Sequence, residues 1–289
     1  MAGEPVSALT IDLQPLEPPF AAKLSGPDLS RPLDGATLDA IREAWRRHPV
    51  VVIPGQELSP EQQLAYSRNF GTLRGHTVTS LLHPQYPELL VLSNRGRGGT
   101  APINNGGAYW HSDITYEWEP PMGSILHGVI VPPGGGDTLY ADMCAAYEAL
   151  DGETKAALEG VTAIHTYRFR YLAMVAEGVR PARTEEQMAE WIEVEHPVVR
   201  TIAETGQRAL YVNEGFTARI AGWPEDESRD MLDKLLAHTV EARFVYRHRW
   251  QPGDVVMWDN RRTLHRATEY DLTQERTMHR TTISGVRPV

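Results

Sequence analysis

Trp110-His111-Ser112-Asp113 sets an imidazole and a carboxylate two positions apart. Side chains of an extended strand alternate between its two faces, so His111 and Asp113 are expected to point the same way. An imidazole nitrogen and a carboxylate oxygen converging there make two-thirds of the 2-His-1-carboxylate facial triad, which holds non-heme Fe(II) and leaves coordination positions open. The tripeptide alone also recurs by chance. It gains weight from Trp258-Asp259-Asn260-Arg261-Arg262-Thr263-Leu264-His265-Arg266, where His265 is a candidate third ligand, followed by Arg276 and Arg280. Ligands at 111, 113 and 265 must meet in space. A β-sandwich or jelly roll achieves this by making strands that are distant in sequence into neighbours.

The chain on either side supplies short strands and a few helices. Ser7 to Leu13 alternates apolar and polar residues as a strand does, and Val50 to Ile53 is a β-branched run closed by Pro54-Gly55. Ala36 to Arg47 spaces Leu38, Ile41 and Trp45 along one helical face. Ser59-Pro60-Glu61-Gln62 opens a second helix, with Ser59 as N-cap and Pro60 in the first turn, which should run to Phe70 and stop at Gly71. Further strands are predicted over Leu89 to Ser93, Ser124 to Val131 and Val161 to Phe169. Helices are predicted over Ala141 to Leu150, Glu153 to Leu158 and Glu225 to His238, and one starts at Thr184 within a mixed stretch. Val198 to Ile202 and Ala209 to Val212 read as a hairpin around Glu204-Thr205-Gly206. Three strands close the chain: Ala242 to Trp250, Asp254 to Trp258 and Arg276 to Ser284. The segment from Arg95 to Gly107, rich in Gly, Asn and Pro, reads as a loop of the kind that covers a site.

Composition narrows the class. The chain has 289 residues, of which 41% are hydrophobic and 23% charged, an ordinary globular mix. No linker-like run divides it, so one domain over 1–289 is expected. A formal net charge of −10 argues against a non-specific nucleic-acid binder, which needs a basic footprint. Cys144 is the only cysteine, which rules out an intramolecular disulfide and suits a reducing compartment. No basic-then-apolar leader is visible at Met1-Ala2-Gly3-Glu4-Pro5, and no apolar run reaches membrane-spanning length. The expectation is a soluble cytoplasmic protein without a membrane partner, assembled as a homo-oligomer, dimer or tetramer.

Arg276 and Arg280 lie four apart on the last predicted strand, on one face with Met278 between them. A guanidinium presents a planar fork that matches a carboxylate or sulfonate. Two arginines on an interior face are costly to bury without counter-anions, so two anionic ligands are expected there. The plain alternative is that both are exposed ion-pair residues, as most arginines are. Trp110 and Trp258, beside the candidate ligands, read as core packing. Asn260 is positioned to orient a ligand, and Phe216 either lines a pocket or packs in the core.

The sequence resembles the taurine / 2,4-dichlorophenoxyacetate dioxygenase family of Fe(II)- and 2-oxoglutarate-dependent oxygenases, from Phe20 to Gly285. The similarity is most specific in Trp110 to Asp113, Gly135-Gly136-Asp137-Thr138, Tyr211-Val212-Asn213-Glu214-Gly215-Phe216-Thr217 and Trp258 to Gly285. The resemblance implies a mainly β fold with outer helices and a double-stranded β-helix (jelly-roll) core. It implies that His111, Asp113 and His265 ligate the metal, with Fe(II), 2-oxoglutarate and O2 as cofactor and cosubstrates. It further implies that Thr138 and Arg276 bind the far carboxylate of 2-oxoglutarate, while Arg280 and His76 meet the acidic end of a small anionic organic substrate, with Phe216 beside them. The expected reaction is hydroxylation of a sulfonate, sulfate ester or carboxylate, coupled to decarboxylation of 2-oxoglutarate to succinate and CO2. Departures from the taurine-cleaving pattern keep substrate identity open. Ala108-Tyr109 stand where an asparagine is expected, and Phe244 to Trp250 looks closer to the aryloxyacetate-cleaving branch. A zinc hydrolase on the same ligands and a jelly-roll binding protein without turnover are the competing readings.

Overall fold

Val50–Ile53 and Val255–Asp259 are near-continuous apolar runs because both faces of the sheet they share are covered. Val51, Ile53, Val255 and Met257 pack with Leu24, Ile41, Trp45 and Leu64 on the outer face. Val50, Val52, Val256 and Trp258 pack with Tyr140, Tyr246 and Met278 on the inner one. The structure, a computed structural model, describes residues 11–96, 100, 102–103 and 107–289. The expected strand from Ser7 is described only as the edge strand Asp12–Pro15, its first residues lying outside that range, as do 97–99, 101 and 104–106 of the expected covering loop.

Among the described residues the sheet of Val255–Asp259 has nine strands. Their order is Asp12–Pro15, Ala21–Ser25, Val50–Ile53, Val255–Asp259, Gly123–Ile130, Thr277–Ile283, Tyr86–Ser93 and Leu82–His83, with Leu73–Arg74 also paired to Thr277–Ile283. A three-stranded sheet, Val245–His248, Thr138–Asp142 and Thr263–Ala267, faces its inner side through Tyr140 and Tyr246. A second three-stranded sheet (Val194–Pro197, Thr162–His165, Thr217–Ile220) and the hairpin Val199–Thr201 with Arg208–Leu210 lie beyond it. The molecule is thus mainly β, with helices outside the sheets. Gly35–Arg47 is capped by Asp34, which accepts from Thr37 N at 2.7 Å, and buries Ile41, Ala44 and Trp45. Pro60–Ser67 carries the expected Ser59–Gln62 capping box. No helix among the described residues is long and apolar enough to cross a membrane.

The structure moves several element boundaries, among them the end of the second helix, which is α-helical over Pro60–Ser67 and continues as a 3₁₀ turn over Arg68–Phe70. Ala141 and Asp142 belong to the strand Thr138–Asp142. The helix begins at Met143, because Asp142 accepts hydrogen bonds from Cys144 N and Ala145 N and so caps it. The strand expected to reach Phe169 ends at His165, where Thr166 caps a helix over Tyr167–Ala176. Ala242–Phe244 is a 3₁₀ turn ahead of the strand Val245–His248. Ala21–Ser25, Val194–Pro197, Thr217–Ile220 and Thr263–Ala267 are strands absent from the sequence reading, and the last carries His265.

Candidate active site

His111 and His265 are directly opposed. His111 N donates to His265 O at 3.0 Å and His265 N to His111 O at 2.7 Å, an isolated antiparallel bridge that sets the imidazole centroids 4.1 Å apart. The chain leaves the bridge at once. Residues 113–116 form a turn, with Ile114 at φ 51°. The pair His111 and Asp113 is therefore brought to one side by a bridge and a turn, and not by the continuous strand expected. One potential ligand atom from each of His111, Asp113 and His265 lies within 4.8 Å of the others, and all three residues are buried.

Hydrogen bonds orient each candidate ligand. The Tyr109 carbonyl accepts from His111 Nδ1 at 2.8 Å, which puts the proton on Nδ1 and leaves the Nε2 lone pair free. Asp113 Oδ2 accepts from Ser124 Oγ at 2.8 Å and from Asn260 Nδ2 at 3.2 Å. Asn260 is itself held, accepting Trp258 Nε1 at 2.8 Å on its side-chain oxygen and Ser112 Oγ at 2.6 Å on its carbonyl. Asp113 Oδ1 accepts from Arg280 Nη1 at 3.0 Å and lies 3.8 Å from His265 Nε2. Burial opposes ionisation of Asp113, but the charge of Arg280, the two imidazoles and the Ser124 hydroxyl outweigh it and hold the carboxyl below its usual range. Burial pushes both histidines down, and for His265 the neighbouring His111 adds to it. Two neutral imidazoles and one carboxylate are in the protonation states a divalent cation requires, and the donor set suits Fe(II). His265 Nδ1 is buried without a hydrogen-bond partner among the described residues. The residues present fit the metal.

A second group of polar residues involves Thr138 and Arg276. Thr138 Oγ1 accepts from Trp250 Nε1 at 3.0 Å, leaving its own proton to donate. Arg276, just ahead of Thr277–Ile283, lies over the Tyr270 ring and donates Nη2 to Gly136 O at 3.2 Å. Among the described residues its Nε has no partner, and no carboxylate pairs with it. Burial pulls its pKa down, with Tyr270, Tyr140 and Asp137 opposing. Gly136 has φ +67°, and a Cβ there would lie 3.0 Å from Arg276 Nε, so glycine lets the guanidinium in. The neighbouring Arg261 and Arg262 do different work. Both pair with Asp259, and Arg262 also donates to the Trp45 and Arg46 carbonyls.

Arg280, on Thr277–Ile283, is buried against Asp113. His76 is half-buried, and its Nδ1 accepts from Val78 N at 3.0 Å, which leaves Nε2 as the donor. Burial and the charge of Arg280 push His76 down to about 4, against the opposing charge of Asp113. Phe216 is buried 6.2 Å from the His111 ring and in edge contact with Tyr109 and Tyr116. A Cβ on Gly215 would overlap the Tyr109 ring, so glycine is required for this close approach. Trp110 and Trp258 are core residues, as expected.

The structure also brings in residues that sequence reasoning missed. Ser124 had no local signal, since it reaches Asp113 only through sheet pairing. Tyr109, Tyr116 and Tyr167 join Phe216 in one aromatic cluster. Tyr140 sits two residues from Thr138 on the same strand, a spacing that could have found it.

The chain matches the family model described as taurine catabolism dioxygenase TauD, TfdA family, over residues 12–282. It is 35% identical over 286 residues to the alpha-ketoglutarate-dependent 2,4-dichlorophenoxyacetate dioxygenase of Cupriavidus pinatubonensis, covering 95% of this chain and 98% of that protein. It is 33% identical over 290 residues to the alpha-ketoglutarate-dependent sulfate ester dioxygenase of Pseudomonas putida, covering 98% and 92%. The solved structure of AAD-2 in complex with Mn(II) and N-oxalylglycine superposes with a TM-score of 0.80 at 33% identity, over 96% of this chain and 99% of that one.

Proposed function

The chain belongs to the TauD, TfdA family of Fe(II)- and 2-oxoglutarate-dependent dioxygenases, and from that premise we propose that it hydroxylates a small anionic organic substrate while 2-oxoglutarate is decarboxylated to succinate and CO2. The observation that carries the reading is the convergence of ligand atoms of His111, Asp113 and His265 within 4.8 Å, all three residues buried. In this reading they hold Fe(II). When bound with 2-oxoglutarate and O2, the iron supplies the oxidant for an unactivated C–H bond. Arg276 and the Thr138 hydroxyl orient 2-oxoglutarate by its far carboxylate, which gives the buried guanidinium its counter-anion. Arg280 keeps Asp113 ionised, and its remaining N–H groups, with His76 Nε2–H, face the acidic group of the substrate. We read the two facing sheets as the family's double-stranded β-helix, in a single domain over 1–289. The remaining proposals are a cytoplasmic homo-oligomer, dimer or tetramer.

Tyr109, Tyr116, Tyr167 and Phe216 form an aromatic wall beside His111. It favours a substrate whose body is apolar or aryl over one as small and polar as taurine. An aryloxyacetate or a sulfate ester meets that description, and hydroxylation next to its ether or ester oxygen gives a product that falls apart to a carbonyl compound. The test is a panel of aryloxyacetates, sulfate esters and sulfonates with Fe(II), ascorbate and O2, read by succinate and by the carbonyl product. Substrate cleavage without succinate, under anaerobic conditions, would instead mark a hydrolase.

A further inference from the structure

Tyr140 has 0% exposure, and its hydroxyl has no hydrogen-bond partner among the described residues. A phenylalanine would fill the same space, so the hydroxyl needs its own explanation. The ring is clamped: Tyr246 stacks on it at 6.4 Å, Trp258 lies 5.7 Å away, and His265, its cross-strand partner, stacks at 6.3 Å. Tyr140 lies on the central strand Thr138–Asp142, where the period of two puts it on the same face as Thr138. The Thr138 hydroxyl and the charge of Arg276 both act on the phenol, and the phenol acts in turn on Arg276. A phenol is neutral at physiological pH and carries one O–H donor. Two buried donors, the Tyr140 O–H and the Arg276 Nε–H, therefore have no acceptor among the described residues, and the Thr138 hydroxyl lies on the same strand face as the phenol.

We infer that the Tyr140 hydroxyl is a third donor to the far carboxylate of 2-oxoglutarate, beside Thr138 and Arg276. This rests on the dioxygenase reading above. A carboxylate offers about four lone-pair sites, enough for all three donors at once. The strand and the ring clamp hold the phenol oxygen in place before the cosubstrate arrives, so little ordering is lost on binding.

The test compares two metal chelators on the Mn(II)-loaded protein by isothermal titration. N-oxalylglycine carries the far carboxylate; oxalate keeps only the chelating end. Tyr140→Phe retains the ring and removes the hydroxyl. It is expected to weaken N-oxalylglycine roughly tenfold, as loss of one hydrogen bond to a charged group does, and to leave oxalate within about twofold. Unchanged N-oxalylglycine affinity would overturn the inference, and so would equal weakening of both chelators, which marks a packing role. If the parent protein binds oxalate but not N-oxalylglycine, the 2-oxoglutarate reading itself fails with it.

Discussion

Arg280 Nη1 lies 3.0 Å from Asp113 Oδ1, and both side chains are buried. The guanidinium that the sequence assigned to a substrate anion is thus also the main charge holding a candidate metal ligand ionised. Arg276, four residues earlier, has no such carboxylate partner among the described residues. Two arginines four residues apart, one just ahead of the strand Thr277–Ile283 and one within it, thus have different surroundings.

His111→Ala, Asp113→Ala and His265→Ala should each abolish Fe(II)-dependent succinate production and weaken metal binding. Asp113→Ala should differ from the other two by also destabilising the metal-free protein, by about 3–5 kcal/mol, because Arg280 is left as a buried unpaired charge. Denaturant titration of the three metal-free variants checks this. Near-parental succinate release by any one of them removes that residue from the metal site.

Arg276→Ala should weaken 2-oxoglutarate by an amount on the order of 2–5 kcal/mol, the cost of stripping a buried carboxylate of its charged partner. Thr138→Ala should cost less, about 0.5–1.5 kcal/mol, or somewhat more because the acceptor is charged. Titration with 2-oxoglutarate under anaerobic conditions separates the two. An unchanged affinity in Arg276→Ala would show that the guanidinium faces something else.

At saturating Fe(II), Arg280→Ala should raise the substrate KM severely while 2-oxoglutarate affinity stays within a few-fold of the parent. Uncoupled succinate should rise as well, since no substrate carbon is then correctly held. His76→Ala should show a milder form of the defect, in line with the loss of one neutral hydrogen bond of roughly 0.5–1.5 kcal/mol. Equal losses for both small molecules in Arg280→Ala would mean that the pocket collapses and that the two arginines do not divide the work.

Gly215→Ala should push the Tyr109 ring aside. The expected result is a lower kcat/KM for aryl substrates, with N-oxalylglycine affinity unchanged and stability reduced by about 1–3 kcal/mol through overpacking. Aryl-substrate kinetics matching the parent would place the substrate away from this wall.

His165 gives a pH dependence that is separate from the site. It is fully buried, with Nδ1 against Thr115 Oγ1 at 3.1 Å, and burial together with His196 pushes it down to about 3. The folded state therefore resists protonation while the unfolded state, with a histidine pKa of about 6.5, accepts it. The contribution is fully present above pH ~6.5 and is lost as pH falls toward 3, at up to ~1.4 kcal/mol per pH unit. Stability of His165→Gln measured across that window should show a flatter acid limb, and a limb as steep as the parent's would exclude His165 as its source.

The candidate ligands that converge in the structure were legible in the chain because ligand identity is a property of residue type. His111, Asp113 and His265 could be named from their motifs, as could Arg276 and Thr138 from the resemblance. Helices were legible for a similar reason. Ile41 and Trp45 recur at helical spacing, and the Ser59–Gln62 capping box is written in four consecutive residues. The strand that seats His265 was not legible. Thr263–Ala267 has no strong alternation of its own and exists because Thr138–Asp142 pairs with it over more than a hundred residues of intervening chain. The backbone at His111 was misjudged for the same reason, since a two-residue bridge to His265 leaves no local pattern. Ser124 on Asp113 and Arg280 on Asp113 are both products of which strands lie side by side. Non-local hydrogen bonding decides that, and it couples residues whose separation along the chain carries no period to read.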